Sequence, residues 1–270
     1  MAGRTAPSGG CEARRRTRFR KKPTTSPVPM ARSTREASQV CAQAVYLRGM
    51  AVSSPAEPAP NKPLLRGVLH QAAFTVSLVT GTLLIVGAGG GRRQTAAAVF
   101  AGSVALCFGA SALYHRVTWT PALRPWMRRI DHAGVYLLIA GTYTAVGLLA
   151  LDGVWRLVVL AIVWTGAAAG IALRFVWIDA PKWLATVIGV ALGWVGVIVL
   201  PQLVTRLSLA AVLLLGVGGI VYTAGAIVYA WRRPILAPAV FGYHELFHAL
   251  TIVAVAFQYI AIAFFLIHAG

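Results

Sequence analysis

Acidic residues are scarce in this chain. Asp and Glu together number 7 in 270 residues against 25 Lys and Arg, so the formal net charge is +18. Charged residues of both signs make up only 12%, where a soluble globular domain carries about 25%. That shortage argues against an ordinary soluble domain. Cysteine is scarce as well. Cys11, Cys41 and Cys107 lie far apart with no paired spacing, which excludes a disulfide scaffold. Apolar residues, by contrast, reach 58% and the mean hydropathy is +0.71. Disorder over most of the length is excluded, because disorder needs low hydrophobicity. A nucleic-acid binder is a poor account of the positive charge, since the apolar excess would still need a home. A polytopic membrane protein with a basic tail remains, and it places the chain in the cell membrane as a multi-pass protein.

The charge is concentrated at one end. Residues 1–66 hold 13 of the 25 basic residues, including the run Arg14-Arg15-Arg16-Thr17-Arg18-Phe19-Arg20-Lys21-Lys22. No apolar segment follows that run, so it does not read as a cleavable signal peptide. Three readings stand open. The segment is a tail drawn to anionic headgroups, at about 1 kcal/mol per basic residue near the surface. It is an inert tail. Or translation starts later, at Met30 or Met50. The stretch from Met50 to Pro63 is rich in Pro, Ala and Ser and reads as a linker. The expected division is a basic, disordered tail over 1–61 and a membrane domain over 62–270.

From Arg66 onward the chain changes character. A helix needs about 20 apolar residues to cross a hydrocarbon core of ~30 Å. Seven runs qualify: Val68–Ala88, Thr95–His115, Asp131–Ala150, Val154–Trp177, Trp183–Leu200, Leu209–Ala230 and Tyr243–His268. Gly89-Gly90-Gly91, Pro121, Pro125, Asp152-Gly153, Pro181, Pro201, Pro234 and Pro238 separate them as turn and breaker signals. The runs are continuously apolar, whereas membrane strands alternate with period two over ~10 residues. The expected fold class is therefore all-α, with seven transmembrane helices.

Loop charge sets the expected orientation. The face carrying the N-terminus collects 21 basic residues against 4 on the other. Without the tail up to Gly49 the ratio is still 10 to 4. The N-terminus is expected in the cytoplasm and the C-terminus outside.

Ionisable groups inside spans are costly, at ~2.5–3.5 kcal/mol for a charged residue at the centre, and point to function. Three of the seven acids lie in the tail, and Asp152 and Asp179 lie in loops. Asp131 and Glu245 remain, at span edges. Ser111 and His115 are four residues apart at the end of span two. His244 and His248 are four apart at the start of span seven. Residues at i and i+4 share a helical face, so each pair aims two side chains at one spot. With seven spans, the end of the second and the starts of the third and seventh meet on one side of the membrane. The loop-charge count and the His spacing thus agree on one place.

Three His with a water form a common catalytic zinc arrangement, and zinc lowers the pKa of a bound water towards ~7. On this reading His115, His244 and His248 hold one zinc ion. Asp131 orients or deprotonates the water, and Ser111 supplies a hydrogen bond. The competing account is that these His residues sit at headgroup level and bond carbonyls.

These residues also carry a family resemblance. Ser111-Ala-Leu-Tyr-His115, then Arg129-Ile-Asp131-His132-Ala-Gly134 running on to Gly141-Thr142-Tyr143-Thr144, then Phe241-Gly-Tyr-His244-Glu-Leu-Phe-His248, resemble the three signature blocks of the bacterial hemolysin III family. That family is related to the progestin and adiponectin receptors and the alkaline ceramidases. Arg66-Gly67-Val68-Leu69-His70 resembles the start of its first span. The resemblance covers about residues 62–270. It implies seven helices, a zinc site near the cytoplasmic face held by His115, His244 and His248, Asp131 on the zinc-bound water and Ser111 beside it. It also implies membrane lipids as surroundings and hydrolysis of an amide in a lipid-like substrate. The alternative it leaves open is a receptor-like or membrane-perturbing protein with a structural zinc. His70 reads as a further polar contact or as an interfacial His. His132, about 100° round the helix from Asp131, is left out of the site, and His268 reads as terminal and interfacial.

A third reading comes from His244-Glu245-Leu246-Phe247-His248, which matches H-E-x-x-H with Glu245 as general base of a metalloprotease. It leaves Ser111 and His115 unused, and Asp131 is its one membrane-edge candidate for an acidic ligand. Gly216-Val-Gly218-Gly219 and Gly166–Gly170 read as helix-packing surfaces. Tyr136, Tyr143, Tyr222, Tyr229 and Tyr243 read as belt or core residues, or as the lining of a lipid cavity.

Overall fold

A computed structural model describes residues 63–267. The basic tail over 1–61, with Cys11 and Cys41, and His268 at the other end lie outside the described residues. The described residues are helical throughout, with short turns between and no strand. The helices are α1 (Val68–Gly87), α2 (Gly91–Arg116), α3 (Arg124–Ala150), α4 (Gly153–Val176), α5 (Lys182–Gly193), α6 (Leu200–Arg206), α7 (Leu209–Trp231) and α8 (Tyr243–Ile260). A 3₁₀ segment, Val195–Val199, joins α5 to α6, so that Lys182–Arg206 crosses as one unit. A π-helical turn, Ala261–Leu266, extends α8. Seven of these units are long and apolar enough to span a bilayer. The expected all-α, seven-span architecture is therefore the one observed.

Two boundaries differ from the expectation, and proline explains both. By sequence alone Pro125 reads as a breaker before span three. It stands instead in the first turn of α3, where the missing N–H had no intrahelical partner and the fixed φ suits a helix start. The helix thus begins at Arg124, and Asp131 lies two turns inside it. By sequence alone Pro201 reads as the end of span five. It occupies the first turn of α6, and the 3₁₀ segment before it absorbs the broken ladder.

α3 is the most buried span, and α1 and α4 to α7 the least. The faces of α1, α4 and α7 that carry Leu83, Val86, Leu157 and Ile220 are exposed. In a bilayer that surface meets lipid at no hydrophobic cost. Between helices there is then no water to expel, so contact must come from close packing of small residues. α3 supplies them. A side chain on Gly134 would meet the Cα of Cys107 at 3.1 Å on α2, and Gly141 is closed in by Ser103. Phe100, Val104, Phe108, Leu138 and Ile139 fill the space between α2 and α3. The Gly216–Gly219 stretch also packs: a side chain on Gly218 would strike the carbonyl oxygen of Ala254 in α8 at 3.1 Å. α7 packs along α8, and α1 packs on both α2 and α8. The helix ends that enclose the site are thereby held together.

Candidate metal centre

The site is assembled at one end of the bundle from five helices. The last turn of α2 carries His115, and one turn earlier on the same face lies Ser111; both are buried. α3 contributes Asp131, 9% exposed. α8 begins at Tyr243, so His244 and His248 stand on consecutive turns at its start. α1 contributes His70 from its first turn and α4 contributes Arg174 from its last.

The three His residues expected as ligands are together. Each offers one ring nitrogen, and these nitrogens all lie within 4.8 Å of one another. His115 Nε2 and His244 Nε2 are 3.1 Å apart. Two nitrogens bound tetrahedrally at about 2.0–2.1 Å from one zinc are themselves ~3.3 Å apart. The donor set and its spacing fit such an ion. Imidazole nitrogens suit iron, copper and nickel as well. Asp131 Oδ2 lies 3.7 Å from His115 Nε2, beside the cluster. Five polar atoms nearby are buried without a hydrogen-bond partner: Ser111 Oγ, His248 Nδ1, His132 Nδ1 and both ring nitrogens of His70. Orphaned groups of that kind are rare in folded proteins and call for an explanation such as an ion, a water or a ligand.

Spaces open on both sides of the cluster. On the inner side a cavity of about 80 Å³ is lined by His70, Ser111, Asp131, His132, His244 and His248, with Val135, Val190, Ala226 and Phe247 supplying apolar wall. On the outer side His115 faces a recess shared with Arg66, Trp119, Arg124 and Tyr243. The cluster thus stands between a mainly apolar cavity, lined by His244 and His248, and a recess of mixed polarity, lined by His115.

Glu245 has a different position from its neighbours. It is fully buried. It accepts an ion-pair hydrogen bond from Arg66 Nε. Its other oxygen accepts from the Gly242 backbone N–H at 2.9 Å, which is the reaching-back half of a capping box. Both oxygens are committed to holding the start of α8 and the approach to α1. Glu245 is absent from the lining of the inner cavity. The H-E-x-x-H reading is left without its base.

The sequence pattern missed three residues of this region. His70 was open between a contact and an interfacial position. It is 3% exposed, and its ring stacks on that of His248 with centroids 3.8 Å apart. Helix geometry by itself turns His132 away from Asp131, yet it lines the same cavity. Arg174 was counted only as loop charge. It is 3% exposed and also lines the cavity. A basic residue three positions inside the end of an apolar run was the signal available. Of the tyrosines, Tyr136, Tyr222 and Tyr229 line this cavity, Tyr143 lines others and Tyr243 the outer recess. Gly170 makes room for Tyr136, since a side chain there would enter its ring at 2.6 Å.

Known proteins resemble the chain in sequence along most of its described length. The family model described as haemolysin-III related matches residues 59–259. The chain belongs to the hemolysin III family. A "Hemolysin-3 homolog" of Bacillus subtilis (strain 168) is 30% identical over 167 residues, covering 62% of this chain and 75% of that protein. "Hemolysin-3" of Bacillus cereus is 29% identical over 176 residues, covering 64% and 80%. Family membership and the seven apolar helices together make this hemolysin III-related chain a multi-pass membrane protein.

Proposed function

We propose that His115, His244 and His248 bind one zinc ion and that the protein hydrolyses an amide or ester bond in a lipid-like substrate. The observation that carries this is the position of three clustered imidazoles beside a buried carboxylate, between a mainly apolar cavity and a recess of mixed polarity. Bound there, zinc supplies Lewis-acid polarisation of a carbonyl oxygen and acidifies a water. The residues of the chain do the rest. Val135, Val190 and Phe247 receive the acyl chain and keep bulk water from the carbonyl. Asp131 accepts the proton from the attacking water and returns it to the departing nitrogen or oxygen as the carbonyl C–N or C–O bond breaks. Ser111 Oγ donates a hydrogen bond to the substrate carbonyl or to Asp131. His70, stacked on His248, fixes the plane of that ring. The cluster lies on the face where loop charge puts the cytoplasm.

A second reading follows from the name of the Bacillus cereus relative, which denotes lysis. In it the zinc ties α2 and α8 together and the protein perturbs membranes without hydrolysis. A structural zinc is closed by four protein ligands, while a catalytic one keeps an open position. Asp131 at 3.7 Å from His115 Nε2 is the group that would close the site.

The test is zinc content and hydrolysis in the purified full chain, for wild type, His244→Ala and Asp131→Asn. About one zinc per chain is expected in wild type, with loss in His244→Ala and retention in Asp131→Asn. Cleavage of long-chain amides or esters is expected in wild type, lost in His244→Ala and strongly lowered in Asp131→Asn. Folded wild type that takes up no zinc on reconstitution sinks the metal site. Zinc-loaded wild type that leaves every lipid amide and ester intact sinks the hydrolase and favours the second reading.

A further inference from the structure

Arg174 is the least explained charge in the molecule. It sits in the last turn of α4, 3% exposed, inside a spanning helix. A charged residue at such a place costs free energy unless something pairs with it. Yet none of the ion pairs among the described residues includes it. It is not capping its own helix either. Arg129 Nε donates to the Phe175 carbonyl at 3.1 Å, and Arg128 Nη2 donates to that of Ile178 at 2.9 Å. Nor does it reach out to the interface, as long basic side chains at helix ends commonly do. It turns inward, to the wall of the cavity that holds Asp131.

The neighbours of Arg174 deepen the imbalance. His132 feels the field of Arg174, Arg128 and Lys182 together. Arg128 is balanced by Asp179 at 2.6 Å. Lys182 is held among tyrosines, donating to the Tyr243 hydroxyl at 3.2 Å and lying 4.6 Å from the centre of the Tyr229 ring. Arg174 is left with a neutral partner, the Tyr136 hydroxyl that accepts its hydrogen bond, and with His132 close by, and His132 Nδ1 is itself buried with no hydrogen-bond partner. A guanidinium without a counter-ion, a vacant imidazole nitrogen and a phenol therefore share one wall of a mainly apolar cavity.

We infer that Arg174, with His132 beside it, is an anion-recognising pole, and that the ligand of this cavity is an amphiphile carrying a carboxylate or phosphate rather than a neutral lipid. Guanidinium binds both anions through paired N–H donors, and burial away from water strengthens the contact. The inference rests on the proposed function only for the identity of the bond cleaved. Taken together, the two describe an acylated amide whose polar part ends in an anion. The amide lies by the His cluster and the anion at Arg174.

Binding of three probes to the purified full chain in neutral detergent tests this. The probes are N-palmitoylglycine, the phosphate monoester of N-palmitoylethanolamine, and the uncharged N-palmitoylglycinamide. Wild type is expected to hold at least one anionic probe about tenfold or more tighter than the neutral one, the scale of one charge-assisted hydrogen bond. Which anion wins identifies the headgroup. Arg174→Gln is expected to abolish the preference, and Arg174→Lys to keep part of it. Removal of the exposed charge in Arg232→Gln is expected to leave it intact, which separates the pole from general attraction to a basic protein. Equal binding of charged and neutral probes by wild type overturns the inference even if Arg174→Gln fails to fold. So does a preference that survives in folded Arg174→Gln. The same titrations in His244→Ala read the anion preference without the metal site, so a failed hydrolase and a failed pole give different results.

Discussion

The two ends of the helical bundle handle charge in opposite ways. At the end that carries the His cluster, Glu245 is fully buried and paired with Arg66, and Asp131, His70, His248 and Arg174 are each less than a tenth exposed. At the other end, Asp152 pairs with Arg206, and both side chains are about half exposed. The helices there are connected by tight turns such as Gly89–Gly91 and Asp152-Gly153. Deeper polar groups on that side serve the backbone: Thr142 Oγ1 donates to the Leu138 carbonyl and Thr144 Oγ1 to that of Ala140. Membrane helices avoid buried charge, so a fold that gathers it at one end and keeps it at the surface at the other has confined its costly chemistry to one place. Stability alone would not require this.

The sharpest break in that contrast is expected at the proposed metal ligands. His248→Ala should abolish zinc binding and hydrolysis together. Asp131→Asn should keep the zinc and lower turnover by about 10²–10⁴, the usual contribution of a positioned acid or base. Metal content and rate on one preparation separate the two. An Asp131→Asn protein that loses its zinc would make the carboxylate a ligand and close the site.

The next effect is on stability and sets the two ion pairs against each other. Glu245→Ala leaves the Arg66 guanidinium without its partner and frees the Gly242 N–H at the start of α8. Breaking a buried pair from one side costs about 3–5 kcal/mol. Asp152→Ala breaks an exposed pair, worth about 0–1 kcal/mol. Thermal unfolding in one detergent compares them. Equal shifts would mean that Glu245 is not the structural anchor its two bonds describe, and would reopen its role as a base.

These contrasts also mark what the chain makes legible before folding. Seven spans could be read because about 20 apolar residues in a row have few other uses. The pairs that make up the three-His cluster could be read because i,i+4 spacing on two helices needs no knowledge of tertiary structure. What failed was anything that depends on how helices are placed. Pro125 reads the same as breaker or as first-turn residue until the start of α3 is known. Arg174 reads as loop charge because its inward turn is decided by α3 and α5, not by its neighbours in sequence. His70 joins the site only because α1 packs against α8. Local patterns report periodicity, and burial of a single polar residue is set by partners elsewhere in the chain.

Gly67 offers an intermediate test. Its φ of +80° is left-handed, and a side chain there would meet the Cβ of His115 at 2.6 Å. Gly67→Ala combines backbone strain with overpacking and is expected to cost about 1–3 kcal/mol. Because the atom it strikes belongs to a proposed ligand, zinc affinity should fall as well. A stability loss with zinc affinity unchanged would show that His115 gives way without moving its ring.

The smallest effect belongs to the opposite half of the molecule. Trp164 Nε1 on α4 donates to Thr144 Oγ1 on α3 at 3.0 Å, a hydrogen bond between two spans far along the helices from the cluster. Such bonds between membrane helices average about 0.6 kcal/mol, because the unfolded chain in the bilayer also finds partners. Thr144→Val keeps the shape, removes the acceptor and should lower stability by about that much, with zinc content and turnover unchanged. A clear loss of zinc in this variant would mean that the two ends are coupled through α3, and that the separation of chemistry from scaffold is less complete than the burial pattern implies.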